Sequence, residues 1–307
     1  MKKFFINLIL TIILLLNSFC LFYYLDNIGI LKNAADVLYD IFSRESTTLV
    51  NNVYSKNINN NFVSITSDFT PESKQDLLNI YYTVFSSGMD NFIFYCPNEY
   101  TACIDDVQSI TSDNMALSHI NNFIHSFNSF LSVKTTYTTT GRITLKINKA
   151  YTEEKIDEVN KAIDEIYNTL VSKDKTDTEN IRSVHDYIIE NVIYDDDYVA
   201  GISNYEANNA YGSLIQGHAV CSGYTDLMEI FLDRMDIPNH KVSNDKHVWN
   251  LVKIDNKWLH LDLTWDDGYE GYDGYNISKY DYFLIDTNKL HELDIQEHTF
   301  DENVYSH

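Results

Sequence analysis

The sequence predicts a protein of the α+β class, in which a helix that begins near a cysteine packs on an antiparallel sheet. Three observations lead to this prediction. After Cys221, apolar residues such as Leu227 and Phe231 recur at helical spacing. Two strand-like runs follow, KHVWNLVKI and KWLHLDLTW, and the dipeptide Asp255–Asn256 between them favours a tight turn. A further hairpin is expected around Gly141, in the first half of the chain.

The helix after Cys221 is expected to run from about Ser222 to Arg234, because Asp236 and Pro238 supply a stop signal. Unpaired N–H groups and the positive end of the helix dipole favour the thiolate form of a cysteine at this place. Cys221 is therefore a candidate nucleophile. A free cysteine is also among the most buried residue types, so its position alone is compatible with simple packing.

The two strands after this helix predict a face on which an imidazole and a carboxylate meet. With a two-residue turn, Ile254 faces Lys257 and Trp249 faces Asp262 across the hairpin. Side-chain alternation then places His247 and Asp262 on one face as diagonal neighbours, roughly 7–8 Å apart at the backbone. The other face is expected to belong to the core and carries three leucines, Leu259, Leu261 and Leu263.

Three reactive groups thus follow one another along the chain: the thiol of Cys221, the imidazole of His247 and the carboxylate of Asp262. In thiol enzymes such groups act as the nucleophile, the base and the carboxylate that orients the base. The motifs around them, GHAVCSGY, HVWN and HLDLTWDD, resemble the transglutaminase-like superfamily of papain-type thiol enzymes, and the resemblance extends upstream to HDYIIENVIYD. It covers roughly residues 180–284. It implies a papain-like fold with Cys221, His247 and Asp262 as the catalytic triad, and a structural role for His185.

Two other histidines compete with His247 for the role of the base. His218 lies three residues before Cys221 on the approach loop, where no predicted element aligns it. His260 shares a strand face with Asp262 and would take the role if the hairpin register slipped by two residues. The family pattern selects His247 and leaves His260 with a supporting or structural role.

Residues near the triad are candidates for binding the substrate. Tyr224, Trp249 and Trp265 are expected as walls of the cleft, although buried packing is the usual role of such aromatic side chains. Gln216 resembles the oxyanion-hole glutamine of some papain-like enzymes, but its offset from the cysteine differs. The backbone N–H of Cys221 is therefore the stronger candidate for an oxyanion donor.

The N-terminal segment is expected to direct export. Lys2 and Lys3 precede a nearly unbroken apolar run over residues 4–24, long enough to span a bilayer, and no small-residue cleavage site follows it. An uncleaved membrane anchor is therefore favoured over a removed signal peptide. Cys20 raises lipoprotein processing as a third possibility, but Phe19 before it is not the small residue of such signals. In each case the rest of the chain is expected outside the cytoplasm, membrane-anchored or secreted.

The remaining cysteines predict a disulfide. Cys96 and Cys103 bracket a short polar loop, PNEYTA, and an oxidising compartment would join them. A metal site is the alternative, but two thiols without a nearby histidine form a poor zinc cage. This pairing leaves Cys221 as an unpaired thiol, for which reactivity is one explanation.

The sequence contains no phosphate-binding loop and no metal-ligand histidine pair, so neither a cofactor nor a metal is expected.

Length and composition predict a folded protein with two domains after the N-terminal segment. The net charge of −23, from 45 acidic and 22 basic residues, argues against nucleic acid as a partner, because phosphate contacts need a basic surface.

The expected divisions are 1–26 for the signal or anchor, 27–150 for an α+β module of unassigned role, and 151–307 for the transglutaminase-like domain. The expected helices are 27–43, one that starts at Pro71, 114–127, 153–171 and 179–192, and the early hairpin comprises 131–137 and 142–147.

These features predict an exported, cysteine-dependent enzyme that transfers acyl groups from protein or peptide amides, with cell-envelope peptides as partners by analogy. Water as the acceptor makes it a protease or amidase, and an amine acceptor makes it a crosslinking transglutaminase. The triad alone does not distinguish the two. The alternative is a non-catalytic surface module for binding or scaffolding that keeps the same fold. Rapid labelling of Cys221 by a thiol-reactive probe near pH 6 separates the enzyme from the scaffold.

Overall fold

The computed structural model describes residues 2–27, 38, 47–267, 279–294 and 296–305. Most of the helix expected over 27–43 lies outside these residues. The first helix, α1, spans Lys2–Asn27. In the part of the chain that is described, no helix combines the length and the apolar character needed to cross a membrane.

The first half of the chain combines helices with a small sheet: α2 (Lys74–Ser86), β1 (Asn91–Tyr95), α3 (Cys103–Ser112), α4 (Asn114–Asn122), β2 (Phe130–Tyr137) and β3 (Arg142–Lys149). Strand β3 lies between β1 and β2, and both pairings are antiparallel. The hairpin expected around Gly141 is therefore confirmed. The predicted disulfide between Cys96 and Cys103 is present, and it links the end of β1 to the start of α3.

Two helices of this half differ from the predictions in their ends. Helix α2 begins after Ser73 rather than at Pro71, because the Ser73 side chain accepts the N–H of Asp76 and caps the helix. The helix predicted over 114–127 already ends at Asn122. A short 3₁₀ helix capped by a histidine ring follows it, and this local bonding replaces the last α-helical turn.

The second half contains the following elements: α5 (Glu153–Leu170), α6 (Asp177–Asn191), β4 (Ile193–Tyr194), α7 (Asp196–Val199), a π-helix (Gly212–Gln216), β5 (His218–Ala219), α8 (Cys221–Arg234), β6 (Asn239–Ser243), β7 (Val248–Ile254), β8 (Lys257–Leu261), α9 (Leu263–Asp266), α10 (Thr287–Leu293) and α11 (Glu302–Tyr305). Helices α5 and α6 confirm the two predicted before the cysteine. Helix α6 starts two residues earlier than expected because Thr176 and Glu179 form a reciprocal capping box.

The second sheet has the order β6–β7–β8, and its hairpin forms in the predicted register. Asp255 and Asn256 have φ angles of 49° and 62°, which is the combination that a tight type I′ turn requires. Ile254 pairs with Lys257 as expected. This register fixes which strand residues share a face, and it places the site residues at the end of the hairpin opposite the turn.

The second sheet lies between two hydrophobic cores. On one face, Val252 and Leu261 pack with Leu227 and Phe231 of α8, as predicted for Leu261. Of the other two leucines expected on this face, Leu259 is only half-buried, and Leu263 is buried but lies in α9 because the strand ends at Leu261. The opposite face, which includes Trp249, packs against apolar residues of the first half of the chain. Burial of each such side chain contributes about 1.5–3 kcal/mol to stability. The core on this second face therefore contains residues from both halves of the chain, and the boundary drawn between the halves from the sequence stays a prediction.

Buried charges also join the two halves. Lys241 on β6 lies 2.9 Å from Asp226 and 3.3 Å from Glu229, both on α8. Lys56, from the first half, lies 2.5 Å from Glu229. The hydroxyl of Tyr151 donates to Asp226 at 2.8 Å. We call Lys56, Lys241, Asp226 and Glu229 the lysine cluster. Its opposite charges compensate one another away from water, and it fixes α8 against the first half and β6.

Candidate active site

Helix α8 begins at Cys221, where a loop crosses close to its first turn. Val220, just before the helix, is extended, and no side chain caps the helix start. A Cβ atom on Gly223 would lie 2.3 Å from the carbonyl oxygen of Ala207 and 2.7 Å from Oγ of Ser213, so a larger residue would force the loop away. Because the first N–H groups of a helix lack intrahelical partners, the N–H of Cys221 is left beside its own thiol.

The helix is fastened to β7 one turn after the cysteine. The hydroxyl of Thr225 lies 2.8 Å from the carbonyl oxygen of Cys221 and 3.1 Å from that of Val248. The side-chain amide of Asn250 donates to the carbonyl of Thr225 at 3.1 Å. Since Val248 directly follows His247, these bonds set the separation between the thiol and the imidazole.

The imidazole of His247 lies between the thiol and the carboxylate. Its Nε2 is 2.5 Å from Oδ2 of Asp262, and the ring is close enough to Cys221 for the thiol to raise the pKa of His247. Because Nε2 is hydrogen-bonded to Asp262, Nδ1 is the ring atom that is left to face the thiol. Cys221 is half-buried, whereas His247 and Asp262 are only 9% and 1% exposed. The structure thus brings the three predicted residues together.

Asp262 is held as a buried anion by four hydrogen bonds. Its Oδ1 accepts the backbone N–H groups of Thr264 at 3.0 Å and Trp265 at 3.3 Å, which caps α9. Its Oδ2 is shared by His247 and a second histidine, His298, whose Nε2 is 2.9 Å away. Burial raises the pKa of Asp262, but the charges and hydrogen bonds of the two histidines outweigh this effect and hold that pKa well below its usual range.

The same carboxylate controls the protonation of His247. Burial lowers the pKa of His247, but the charge of Asp262 and the hydrogen bonds with Asp262 and Cys221 raise it overall to about 10. At neutral pH the ring is therefore an imidazolium. It can pair with a thiolate and can give a proton to a departing amine.

Comparison with known proteins agrees with this geometry. Residues 164–263, which include all three predicted triad residues, match the family model of the transglutaminase-like superfamily. This segment, about a third of the chain, is therefore similar to the transglutaminase-like superfamily. Its papain-like α+β fold is the one predicted from the sequence. None of the curated proteins matches the chain.

Two solved structures are similar to parts of the chain. One is described as a crystal structure of a TGase; it shares 13% identity, over 49% of this chain and 47% of that one, with a TM-score of 0.35. The other is a candidate cysteine protease from Cytophaga hutchinsonii, with 13% identity over 43% of this chain and 61% of that one, and a TM-score of 0.28. The chain therefore spans about half the length of the first protein.

His298 is the site residue that the sequence did not predict. It is fully buried, and it follows Asp262 by 36 residues in the run IQEHTF. That run carries no motif and no helical or strand periodicity, and it lies beyond the segment that the superfamily model matches. No local signal marks His298, because only the tertiary fold brings it to Asp262.

The two competing histidines have other partners. Nδ1 of His260 accepts the indole N–H of Trp249 at 2.9 Å, and its Nε2 lies 3.1 Å from the hydroxyl of Thr287. Burial, together with nearby histidines, lowers the pKa of His260 to about 3, so its ring is neutral. His218 stacks on Tyr205, with ring centroids 3.8 Å apart. His260 thus supports Trp249.

The aromatic residues expected as cleft walls are mostly buried. Trp249 is 0% exposed and stacks on His247, with ring centroids 5.6 Å apart. Tyr224 is 1% exposed, and its hydroxyl donates to the carboxylate of Asp267. Trp265 is half-buried and keeps some exposed surface. As the structure stands, a substrate would meet Trp265 rather than Tyr224 or Trp249, and the last two fill the space behind the imidazole and α8.

Two further residues from the sequence motifs act on the backbone around the site. The amide oxygen of Gln216 accepts the N–H of Glu206 at 2.7 Å, which ties together the loop before Cys221. Nε2 of His185 lies 3.2 Å from Asp266, whose other oxygen accepts the N–H of Tyr282 at 2.8 Å. His185 therefore supports the segment that follows Asp262, in line with the structural role that the family resemblance implied.

The distances among the three buried groups, His247, Asp262 and His298, are those of hydrogen bonds and do not indicate a metal site. His247, Asp262 and His298 offer donor atoms that all lie within 4.8 Å of one another, and zinc accepts such ligands. However, Asp262 is 2.5 Å and 2.9 Å from the two rings, which are hydrogen-bond lengths.

Proposed function

We propose that this protein is a cysteine-dependent acyl-transfer enzyme that acts on amides of proteins or peptides. The observation that carries the proposal is the position of one ring: the imidazole of His247 is hydrogen-bonded to Asp262 and interacts with Cys221 at once. A nucleophile, a proton carrier and an orienting carboxylate in contact are what thiol-based acyl transfer requires.

In the proposed first step, Sγ of Cys221 attacks the carbonyl carbon of the amide, and a carbon–sulfur bond forms. The backbone N–H of Cys221, at the start of α8, is the proposed donor to the oxygen that gains negative charge. The carbon–nitrogen bond then breaks, and the imidazolium of His247 protonates the departing amine. An acyl-thioester on Cys221 remains.

In the proposed second step, the now neutral ring of His247 removes a proton from water or from an acceptor amine. That nucleophile attacks the thioester, the thiolate leaves, and the imidazolium is restored. Asp262 holds the ring with Nε2 toward the carboxylate throughout, so Nδ1 always serves the reacting groups. Hydrolysis and amine transfer thus share one set of catalytic residues.

Exposed apolar side chains beside the cysteine loop support a polypeptide as the substrate. Ile193, Tyr205 and Ile215 are 64%, 43% and 38% exposed. Ile193 pairs with His218 between β4 and β5, and His218 stacks on Tyr205, so the patch adjoins the approach to Cys221. Apolar surface of this kind binds protein chains more readily than small polar molecules.

We also propose that the enzyme works outside the cytoplasm, as the N-terminal sequence led us to expect. The disulfide between Cys96 and Cys103 supports an oxidising location, because such bonds are rare where glutathione keeps thiols reduced. Treatment of intact cells with a membrane-impermeant thiol reagent tests this. Labelling of Cys221 without cell lysis is expected, and protection until lysis would contradict export.

The catalytic proposal is tested on the full-length chain with a glutamine-containing peptide, with and without a labelled amine. Ammonia release, amine incorporation and peptide cleavage are measured together. We expect turnover by the wild type, none by Cys221→Ala, and a loss of about 100-fold in His247→Gln, because the proton carrier is gone. Ammonia release without incorporation identifies a hydrolase, and incorporation identifies a crosslinker.

The other free cysteine supplies the matched control. Cys20 is exposed and lies in α1, so Cys20→Ala is expected to keep wild-type turnover. Alkylation by iodoacetamide near pH 6 should modify Cys221 much faster than Cys20, since only Cys221 has an imidazolium partner. Equal alkylation of both cysteines, or turnover that survives Cys221→Ala, would contradict the proposal and favour a non-catalytic binding module.

A further inference from the structure

Both histidines next to Asp262 bind the same oxygen of its carboxylate. Oδ2 lies 2.5 Å from Nε2 of His247 and 2.9 Å from Nε2 of His298. An ionised carboxylate accepts hydrogen bonds and donates none, so each ring must present an N–H group to Oδ2. His298 is therefore in direct contact with the atom that orients the proposed proton carrier.

The other nitrogen of the His298 ring leaves Nε2 as its one bonded atom. Nδ1 is buried and has no hydrogen-bond partner among the described residues. Nε2 carries the proton that Oδ2 requires, so it acts as a fixed donor to Asp262.

Aromatic rings hold this donor in place. Tyr282 stacks on His298 with ring centroids 5.0 Å apart, and Trp249 and Trp265 meet it at angles of 71° and 57°. The ring of His247 meets it edge to face at 5.4 Å. Packed on these sides, the imidazole of His298 cannot turn away from the carboxylate without displacing its neighbours.

One asparagine links the backbone of the two histidines. The side-chain oxygen of Asn244 accepts the N–H of His247 at 2.8 Å. Its side-chain amide donates to the carbonyl groups of Glu297 at 2.7 Å and Thr299 at 2.9 Å, the residues on either side of His298. Asn244 therefore fixes the spacing of the two rings that share Asp262.

From these contacts we infer that His298 is a positioning residue for the triad: its Nε2–H fixes the Asp262 oxygen that orients His247. The inference rests on the proposed function, because it assigns a task within the same site. His298 does not reach the substrate or Cys221 in this account. It limits the motion of Oδ2, so that the His247 ring keeps Nδ1 toward the thiol.

The test compares two substitutions of the full-length protein that differ in one property. His298→Gln keeps an N–H donor close to the position of Nε2, whereas His298→Phe fills the aromatic surroundings but has no donor. We expect His298→Phe to slow the turnover of the glutamine peptide about tenfold, as loss of a hydrogen bond to a charged group implies, and His298→Gln to recover most of that loss. His119→Gln, in the first half of the chain, controls for loss of a buried histidine elsewhere.

A second readout does not depend on turnover. The proton between His247 and Asp262 should give a strongly deshielded imidazole resonance in the ¹H NMR spectrum, because the bond is short and charge-assisted. We expect this resonance to shift in His298→Phe and to return toward its original position in His298→Gln. Asn244→Asp keeps the acceptor for His247 but removes the donors to Glu297 and Thr299, so it should shift the resonance even if His298→Phe fails to fold.

The outcomes separate this inference from the proposed function. Turnover that depends on Cys221 and His247 but is equal in wild type, His298→Gln and His298→Phe would overturn the positioning role alone. Equal losses in His298→Gln and His298→Phe, with an unmoved resonance, would show that His298 only fills space, and would also overturn it. Turnover that survives Cys221→Ala would instead reject the proposed function, whereas the resonance would still report on His298.

Discussion

Helix α8 contacts two buried ionic clusters, and only one of them contains the proposed catalytic groups. The triad cluster consists of Cys221, His247, Asp262 and His298, and it lies at the start of the helix. The lysine cluster lies about one to two turns further along. Both contain charged groups removed from water, so burial of charge does not by itself mark the site.

The difference lies in what the charges contact. In the lysine cluster, each ammonium group is paired with one or two carboxylates, and the acidic side chains are nearly inaccessible. In the triad cluster, the chain of contacts ends at the thiol of Cys221, which is only half-buried. A buried charge becomes useful for chemistry when it controls a group that another molecule can reach.

The largest effect that we predict concerns the stability contributed by the lysine cluster. Lys241→Met removes the ammonium group that faces both Asp226 and Glu229 and leaves two carboxylates under-compensated away from water. We expect the free energy of unfolding to fall by about 3–5 kcal/mol. Urea denaturation followed by far-UV circular dichroism measures the change.

The matched control for this prediction is Lys253→Met, because the Lys253 ammonium lies 5.8 Å from the centre of the Trp258 ring and is not buried. Its expected cost is within about 1 kcal/mol. The rate at which iodoacetamide modifies Cys221 should stay near the wild-type value in the folded fraction of Lys241→Met. Equal losses of stability in Lys241→Met and Lys253→Met would contradict the prediction that the lysine cluster contributes to stability through its buried charges.

The converse change acts on the triad cluster. Asp262→Asn removes the negative charge that raises the pKa of His247, so less imidazolium is present to stabilise a thiolate. We expect iodoacetamide to modify Cys221 about 100-fold more slowly near pH 6. Asp267→Asn, whose side chain contacts Tyr224 instead of His247, is the control and should react at nearly the wild-type rate. An unchanged rate in Asp262→Asn would mean that the carboxylate does not govern the thiol.

A smaller effect is expected where α8 meets the crossing loop. Gly223→Ala would place a methyl group 2.3 Å from the carbonyl oxygen of Ala207, and backbone cannot yield as a flexible side chain does. We expect the free energy of unfolding to fall by about 2 kcal/mol, with slower modification of Cys221 as the helix start shifts. Gly201→Ala is the control; it has open space around it and a positive φ of 73°, so only its backbone is strained. Crystallography or thermal unfolding of both variants measures the difference.

Sequence reasoning succeeded where the signal is local. The hairpin register follows from the two turn residues Asp255 and Asn256, and it correctly paired Ile254 with Lys257. The start of α8 follows from helical periodicity after Cys221. Each of these signals is contained within about one element, so no knowledge of packing is needed to use it.

The remaining contacts depend on packing between distant parts of the chain. His298 reaches Asp262 across 36 residues, Asn244 reaches Glu297 across 53, and Lys56 reaches Glu229 across 173. A lone histidine or lysine in a polar run gives no sign of such a partner. The start of α2 was predicted wrongly for a different, local reason: capping by Ser73 overrides a proline that is equally suited to a first helical turn.

The smallest effect concerns the response of the two clusters to pH. The pKa of His247, about 10 in the folded protein, exceeds the value of roughly 6.5 expected after unfolding. The stabilisation by its imidazolium is therefore complete below about pH 6.5 and is lost as the pH rises through about 10. Between pH 7 and 9 we expect the free energy of unfolding to fall by at most about 1.4 kcal/mol per pH unit.

The lysine cluster should not contribute to this slope. Burial lowers the pKa of Lys241, but Asp226 and Glu229 raise it above its ordinary value overall, so the lysine keeps its charge throughout the window. Urea denaturation in a Cys221→Ser background excludes the thiol, which titrates in the same range when the chain is unfolded. In that background His247→Gln should flatten the slope. A slope that persists in His247→Gln would assign it to a different group, and the imidazolium of His247 could no longer be what distinguishes the two clusters.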